Sequence, residues 1–248
     1  MIDAIYAAHA AGFETVECHW PYAYDAAEVK AALDATGLTM LGLNTVRGNL
    51  AANENGLAAL PGREDEARAG IDQALCYAAT INTPNIHVMA GFAKGSAAED
   101  CFIENLRYAT SQQQHVTFLI EPLNHYDAPG YFLNSTDQAR RIIEAVATPN
   151  LKLMFDCYHI QILEGDLTRR LQANIDIIGH IQFAGVPSRG RPDYGEINYQ
   201  HIFKQIADMG YTAPLGAEYK PENGDTDGSL GCESGLEGQA GVSRQPRS

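Results

Sequence analysis

The amino-acid sequence predicts an α/β protein built as a (β/α)8 barrel. Apolar runs typical of buried parallel strands alternate with helical segments, at a spacing of about 30 to 40 residues per unit. Four of the runs lead into a carboxylate or amide residue: Glu121, Asp156, Gln182 and Glu218. A barrel collects the carboxyl ends of all its strands at one rim, so it explains this pattern best. Neither GxGxxG nor GxxxxGK[ST] occurs at a strand–helix junction, which argues against a phosphate-binding doubly wound sheet.

The elements follow from hydrophobic periodicity and from residues typical of helix ends. Strands are predicted over 15–18, 40–44, 86–91, 116–120, 151–155, 177–181 and 213–217. Helices are predicted over 1–12, 63–79, 97–112, 135–145, 163–173 and 198–209, and a further helix follows Asp25. Asp25, Ser135 and Asn198 are expected to cap their helices, because their short side chains accept hydrogen bonds from free backbone N–H groups.

The predicted barrel is incomplete at both ends. Seven strands can be assigned, and the chain begins with a helix where the first strand of a barrel is expected. Beyond about residue 230 the sequence is rich in Gly, Ser and Glu and lacks apolar periodicity. We therefore expect one barrel domain over 1–230 and a low-complexity, disordered tail over 231–248 in place of the final helix.

Composition excludes several classes of function. A formal net charge of −14 argues against a nucleic-acid-binding or anionic-membrane surface, since both require clustered Lys and Arg. The five cysteines are scattered, odd in number and without a CxxC pair, which is typical of reduced thiols. No apolar stretch is long enough to cross a membrane, and no signal-peptide pattern is present. These features predict a soluble, cytoplasmic protein.

The four strand-end residues predict a metal site. Glu121, Asp156, Gln182 and Glu218 offer oxygen ligands, which suit a divalent cation such as Mg²⁺ or Mn²⁺. Such a cation could stabilise an enediolate formed from an α-hydroxy carbonyl substrate. Glu121 and Glu218 could then take a proton from one carbon and return it to the other. No organic cofactor is needed for this isomerisation.

Other polar residues are candidates for substrate binding. His159 is expected on the loop after Asp156, within reach of a substrate oxygen, and Arg189 could pair with a substrate carboxylate. The alternative is that strand-end acids are helix caps or surface charges and that Arg189 is solvated. His87 and His180 lie within apolar strands, which favours structural hydrogen bonds. Glu17 and Asn44 are further candidates for the rim of the barrel, each only weakly indicated by the sequence.

Several motifs together resemble the hydroxypyruvate isomerase family of the xylose isomerase-like barrel superfamily. The matching segments are IEPLNHYD at 120–127, FDCYH at 155–159, GHIQ at 179–182, GEINY at 195–199 and GAEYKP at 216–221. The resemblance implies an eight-stranded barrel with Glu121 and Glu218 as the catalytic pair. It also implies that both glutamates bind a metal, together with Asp156 and Gln182.

The resemblance implies interconversion of hydroxypyruvate and 2-hydroxy-3-oxopropanoate (tartronate semialdehyde), a reaction of glyoxylate metabolism. A sister group isomerises 2-oxo-tetronates with similar motifs, and the Glu-Pro-Leu-Asn stretch favours the hydroxypyruvate group. A ketose 3-epimerase and an inactive sugar-acid-binding fragment are alternatives. Family members begin with a strand that this chain lacks, so the barrel should be open between its second and eighth strands. Exposed strand edges there would favour self-association into a homo-oligomer.

Overall fold

The computed structural model describes residues 1–230, which form a parallel β-sheet packed against helices. The strands are β1 (Thr15–Val16), β2 (Thr39–Met40), β3 (Gly42–Asn44), β4 (Asn85–His87), β5 (Thr117–Ile120), β6 (Leu151–Asp156), β7 (Ile178–Phe183) and β8 (Leu215–Ala217). The helices are α1 (Ile2–Ala10), α2 (Ala26–Thr36), α3 (Glu64–Ile81), α4 (Ser96–Gln112), α5 (Thr136–Val146), α6 (Cys157–Leu163), α7 (Leu167–Asn174), α8 (Tyr199–Asp208) and α9 (Thr226–Ser229).

All strands run parallel and follow one another in sequence order. Strands β3 to β8 form a six-stranded sheet, and β1 pairs with β2. Only Leu41 separates β2 from β3. The backbone N–H of Cys18, just after β1, donates to the carbonyl oxygen of Gly42 in β3, so β1 lies beside both strands and precedes them in the strand order. The structure therefore contains each of the seven predicted strands and confirms the β/α barrel. The strand predicted over 86–91 is shorter, because its regular pairing ends at His87.

The barrel is open between β1 and β8. Within the described residues these two strands do not pair with each other, and each is the edge of its sheet. A groove of about 610 Å³ lies between them, lined mainly by apolar side chains such as Ile5, Phe13, Phe183 and Leu215. This opening confirms the prediction of an incomplete barrel.

Helix ends follow the predicted capping pattern in three cases and differ in one region. Asp25, Ser135 and Asn198 each accept a hydrogen bond from a backbone N–H of the following turn. The helix predicted over 163–173 is confirmed as α7, which begins later, at Leu167, and the preceding helix α6 was not predicted. Gly165 and Asp166 both have left-handed backbone angles, which end a right-handed helix.

The segment 231–248, predicted as a disordered tail, lies outside the described residues. The four cysteines within 1–230, Cys18, Cys76, Cys101 and Cys157, are free thiols. None of the helices in this part of the chain has the length and hydrophobicity needed to cross a membrane.

Candidate active site

The four predicted strand-end residues lie at the carboxyl ends of β5 to β8. Glu121 directly follows β5, Asp156 ends β6, Gln182 lies in β7 and Glu218 directly follows β8. Asp156 and Gln182 are neighbours in the sheet register, so their side chains leave adjacent strands at the same level. Glu121, Asp156 and Gln182 are buried, whereas a quarter of the Glu218 side chain is exposed.

Two buried carboxyl groups and a histidine form the centre of the site. One ligand-capable atom from each of Glu121, Asp156 and His159 lies within 4.8 Å of the other two. Burial, followed by the charge of Asp156, raises the pKa of Glu121 well above its usual value. Burial and the charge of Glu218 raise the pKa of Asp156 to about 7. Burial and mutual repulsion therefore disfavour the charged forms of these two carboxyl groups.

The donor set at this centre fits a divalent cation. Glu121 Oε1 and Gln182 Oε1 are buried and have no hydrogen-bond partner within residues 1–230. Buried polar atoms in proteins are rarely left without a partner, so these oxygens are suited to a ligand. Carboxylate and amide oxygens are ligands that Mg²⁺ and Mn²⁺ accept. The buried carboxyl groups of Glu121 and Asp156, with the amide oxygen of Gln182, could thus hold a metal ion.

His159 is oriented by the chain segment after Glu121. It lies in the first turn of α6 and not on a loop, so that part of the prediction is wrong, because Asp156 caps a helix that begins at Cys157. The backbone N–H of Asn124 donates to His159 Nδ1 at 3.0 Å, so Nδ1 carries no proton. Burial, then the guanidinium of Arg189, lowers the pKa of His159 and keeps it neutral. Its single proton therefore lies on Nε2, which suits donation to a substrate oxygen better than metal coordination.

Asn124 is itself held in one orientation. Its Oδ1 accepts hydrogen bonds from the backbone N–H groups of Tyr126 and Asp127. Its Nδ2 consequently faces His159 Nδ1, at 2.8 Å. Asn124 is fully buried and fixes the imidazole, although it was not predicted as a site residue. A buried amide three positions after Glu121 was the available signal.

Arg189 connects the two sides of the site. Its Nη2 donates to Glu218 Oε1 at 2.8 Å and lies 3.5 Å from Asp156 Oδ2. Its Nη1 lies 3.2 Å from His159 Nε2. The guanidinium also stacks 5.0 Å above the ring of Tyr158. The structure thus places Arg189 among the acidic site residues.

Glu218 has a second partner that the sequence did not indicate. His19 Nε2 lies 2.9 Å from Glu218 Oε1, the same oxygen that Arg189 contacts. The contacts of Glu218 with His19 and with Arg189 are both made through Oε1. Two cationic or hydrogen-bonding groups therefore hold this carboxylate at one oxygen.

His87 and His180, the two histidines within strands, differ in their hydrogen-bond partners. His180 pairs with Glu17 at 2.6 Å, as expected for a structural hydrogen bond. His87 lies 3.6 Å from Glu121 Oε2, and its Nε2 has no partner within residues 1–230. Burial lowers the pKa of His87 to about 3, so this ring is neutral beside Glu121. Glu17, a weak candidate in the sequence, also accepts a hydrogen bond from Gln182.

Comparison with known proteins places this site in a family. The family model described as "Xylose isomerase-like TIM barrel" matches residues 5–236. The chain belongs to this family. The expectation drawn from the strand-end motifs is thereby confirmed.

Curated relatives of high similarity are named as isomerases. A 2-oxo-tetronate isomerase of Cupriavidus necator is 47% identical, over 92% of this chain and 90% of that protein. A hydroxypyruvate isomerase of Escherichia coli is 40% identical, over 85% of this chain and 84% of that protein. These relatives confirm the prediction of a hydroxypyruvate isomerase-like enzyme.

Solved structures agree on the fold. The crystal structure of an AP endonuclease, family 2, from Brucella melitensis has a TM-score of 0.91 and 38% identity, over 94% of this chain and 92% of that chain. A D-psicose 3-epimerase from Clostridium cellulolyticum has a TM-score of 0.73 at 19% identity, over 92% of this chain and 83% of that chain, and shows the fold alone.

Proposed function

We propose that this chain interconverts hydroxypyruvate and 2-hydroxy-3-oxopropanoate, with Glu121 and Glu218 as the acid–base pair. The observation that carries the proposal is the pair of buried oxygens, Glu121 Oε1 and Gln182 Oε1, which lie beside the Asp156 carboxyl group and have no hydrogen-bond partner within residues 1–230. The isomerases among the relatives support the same class of reaction.

Glu121, Asp156, Gln182 and Glu218 would hold a divalent cation, Mg²⁺ or Mn²⁺. When bound, this cation would polarise the carbonyl and hydroxyl oxygens of the substrate. No organic cofactor is required, because the reaction is a redistribution of protons within one molecule.

The protein's own groups account for the proton transfers. Glu121 and Glu218 follow β5 and β8, with two strands between them, so they approach a substrate from different sides. One carboxylate removes a proton from the hydroxyl-bearing carbon, and the other residue, as a carboxylic acid, gives a proton to the former carbonyl carbon. The substrate hydroxyl oxygen loses its proton and the former carbonyl oxygen gains one, in the same direction as the carbon-bound proton, so atoms and charge balance.

His159 and Arg189 would bind the substrate. The N–H of His159 Nε2 can donate to a substrate oxygen, and Asn124 holds the ring for this role. Arg189 is already paired with Glu218 through Nη2, so it positions that glutamate as well as offering a positive charge to an acid substrate.

The test is turnover of hydroxypyruvate in the presence of Mg²⁺ or Mn²⁺, followed by NMR. We expect formation of the aldehyde isomer, loss of turnover after chelation, and recovery when the cation is returned. Glu218→Gln should lower kcat by about 10² to 10⁴, since general acid–base groups contribute this much. Glu222→Gln removes an exposed acid four residues away and serves as the matched control. Ligand-induced thermal shift without turnover of three- or four-carbon hydroxy-oxo acids would contradict the proposal and favour a binding protein.

A 2-oxo-tetronate is the second candidate substrate. The relative from Cupriavidus necator with that activity in its name is more similar to this chain than the Escherichia coli hydroxypyruvate isomerase, at 47% against 40% identity. Parallel measurement of kcat/KM for both acids decides between them.

A further inference from the structure

The side-chain amide of Gln182 has one end that is held and one that is free. Its Nε2 donates to Glu17 Oε2 at 2.7 Å. Its Oε1 is buried and has no hydrogen-bond partner within residues 1–230. If the amide turned over, Oε1 would face the Glu17 carboxylate, where two acceptors repel, and the NH₂ group would take the free place. The contact with Glu17 therefore decides which atom of Gln182 is available.

Glu17 is in turn anchored through its second oxygen. Its Oε1 pairs with His180 Nε2 at 2.6 Å, so each carboxylate oxygen has one partner on β7. His180 and Gln182 are two positions apart in this strand, and side chains with that spacing lie on the same face. Glu17, which follows β1, thus bridges to β7 by two short contacts.

Gly216 of β8 leaves the space for this arrangement. A Cβ atom at position 216 would lie 2.4 Å from Glu17 Oε1 and 2.9 Å from Gln182 Cγ. The backbone at Gly216 does not have a left-handed φ, so the glycine is needed for the close approach and not for its conformation. A strand residue without a side chain at this point is a second, independent sign that the Glu17–Gln182 contact is built into the sheet.

We propose that Glu17 is a positioning residue that keeps the Gln182 amide oxygen, and not its NH₂ group, available to the site. Partners of metal ligands commonly fix ligand orientation in this way. The inference rests on the proposed function, in which Gln182 is one of four residues that hold the cation. Glu17 itself contributes no atom to the reaction.

The test is a double-mutant cycle read out as Mn²⁺ affinity, measured by calorimetry on the full chain without substrate. Gln182→Met removes the oxygen ligand and should weaken Mn²⁺ binding. Glu17→Met removes the acceptor that orients the amide, and it should weaken binding by about 10- to 100-fold, the usual effect of losing such a partner. In the Gln182→Met background no amide remains to be oriented, so adding Glu17→Met should change the affinity by less than about twofold.

Glu14→Met is the matched control. Glu14 lines the same groove three residues earlier, is exposed, and carries the same charge. Its substitution removes one negative charge from the groove without touching Gln182, so Mn²⁺ affinity should stay within about twofold of the original. A loss equal to that of Glu17→Met would assign the effect to charge and overturn the inference.

The outcomes separate this inference from the proposed function. If Gln182→Met leaves Mn²⁺ affinity unchanged, the proposed metal site fails and the positioning role fails with it. If Gln182→Met weakens binding while Glu17→Met does not, or if the two losses add fully, the metal site stands and Glu17 has no positioning role. Should Glu17→Met fail to fold, as judged by thermal unfolding, Glu17→Gln enters the same cycle. Glu17→Gln keeps the side-chain volume but leaves a single acceptor oxygen for His180 and Gln182. Its effect on Mn²⁺ affinity should likewise disappear in the Gln182→Met background.

Discussion

The two proposed catalytic glutamates belong to regions of the barrel that are held together differently. Glu121 follows β5, a strand paired on both sides, and the residue is only 6% exposed. Glu218 follows β8, an edge strand beside the open groove, and its side chain is held by Arg189 and His19. On the closed side, backbone pairing and core packing set the geometry. On the open side, ion pairs between side chains contribute more to the position of the glutamate.

The largest expected difference is in stability. Phe118 of β5 is fully buried, and Phe118→Ala should lower the free energy of unfolding by about 3 to 5 kcal/mol through loss of burial and formation of a cavity. Leu215 of β8 is only partly buried and lines the groove, so Leu215→Ala should cost about 1 kcal/mol. Urea unfolding of both variants measures the comparison. Equal losses would show that the open side is packed as firmly as the closed side.

A smaller effect is expected at the ion pair that holds Glu218. Arg189→Lys keeps a positive charge but loses the planar fork that contacts Glu218 and Asp156, so kcat/KM should fall about 10- to 100-fold through misplacement of the carboxylate. Arg191→Lys, in the same loop and paired with Asp193, should change kcat/KM less than twofold. Unchanged kinetics in Arg189→Lys would mean that β8 alone positions Glu218.

The sequence predicted those parts of the site that depend on strand ends. Apolar runs followed by Glu121, Asp156 and Glu218 located the rim, because a parallel barrel brings strand ends together whatever the loops do. Gln182 was found in the same way. The opening of the barrel between β1 and β8 was also foreseen.

Contacts between distant side chains could not be predicted. The pairing of Glu17 with His180 and Gln182 joins residues more than 160 positions apart, and it depends on how the curved sheet brings β1 toward β7. The pairing of His19 with Glu218 has the same origin. The helix at His159 was missed because its seven residues are too few to show a helical period.

The smallest expected effect tests the groove itself. Ala8 of α1 lines the groove and is partly buried against the core, so a larger apolar side chain there can fill space between β1 and β8. Ala8→Leu should raise the free energy of unfolding by about 0.5 to 1 kcal/mol, as other cavity-filling substitutions do.

Ala7→Leu supplies the control, because Ala7 is exposed in the same helix and does not line the groove. The two substitutions share the same small cost in helix propensity, so the difference between their unfolding free energies reports burial in the groove alone. A destabilised Ala8→Leu would show that the space is too shallow to bury a leucine side chain. A stabilised one would show that the open side lacks apolar packing that the closed side already has, which is the physical difference between the surroundings of Glu218 and of Glu121.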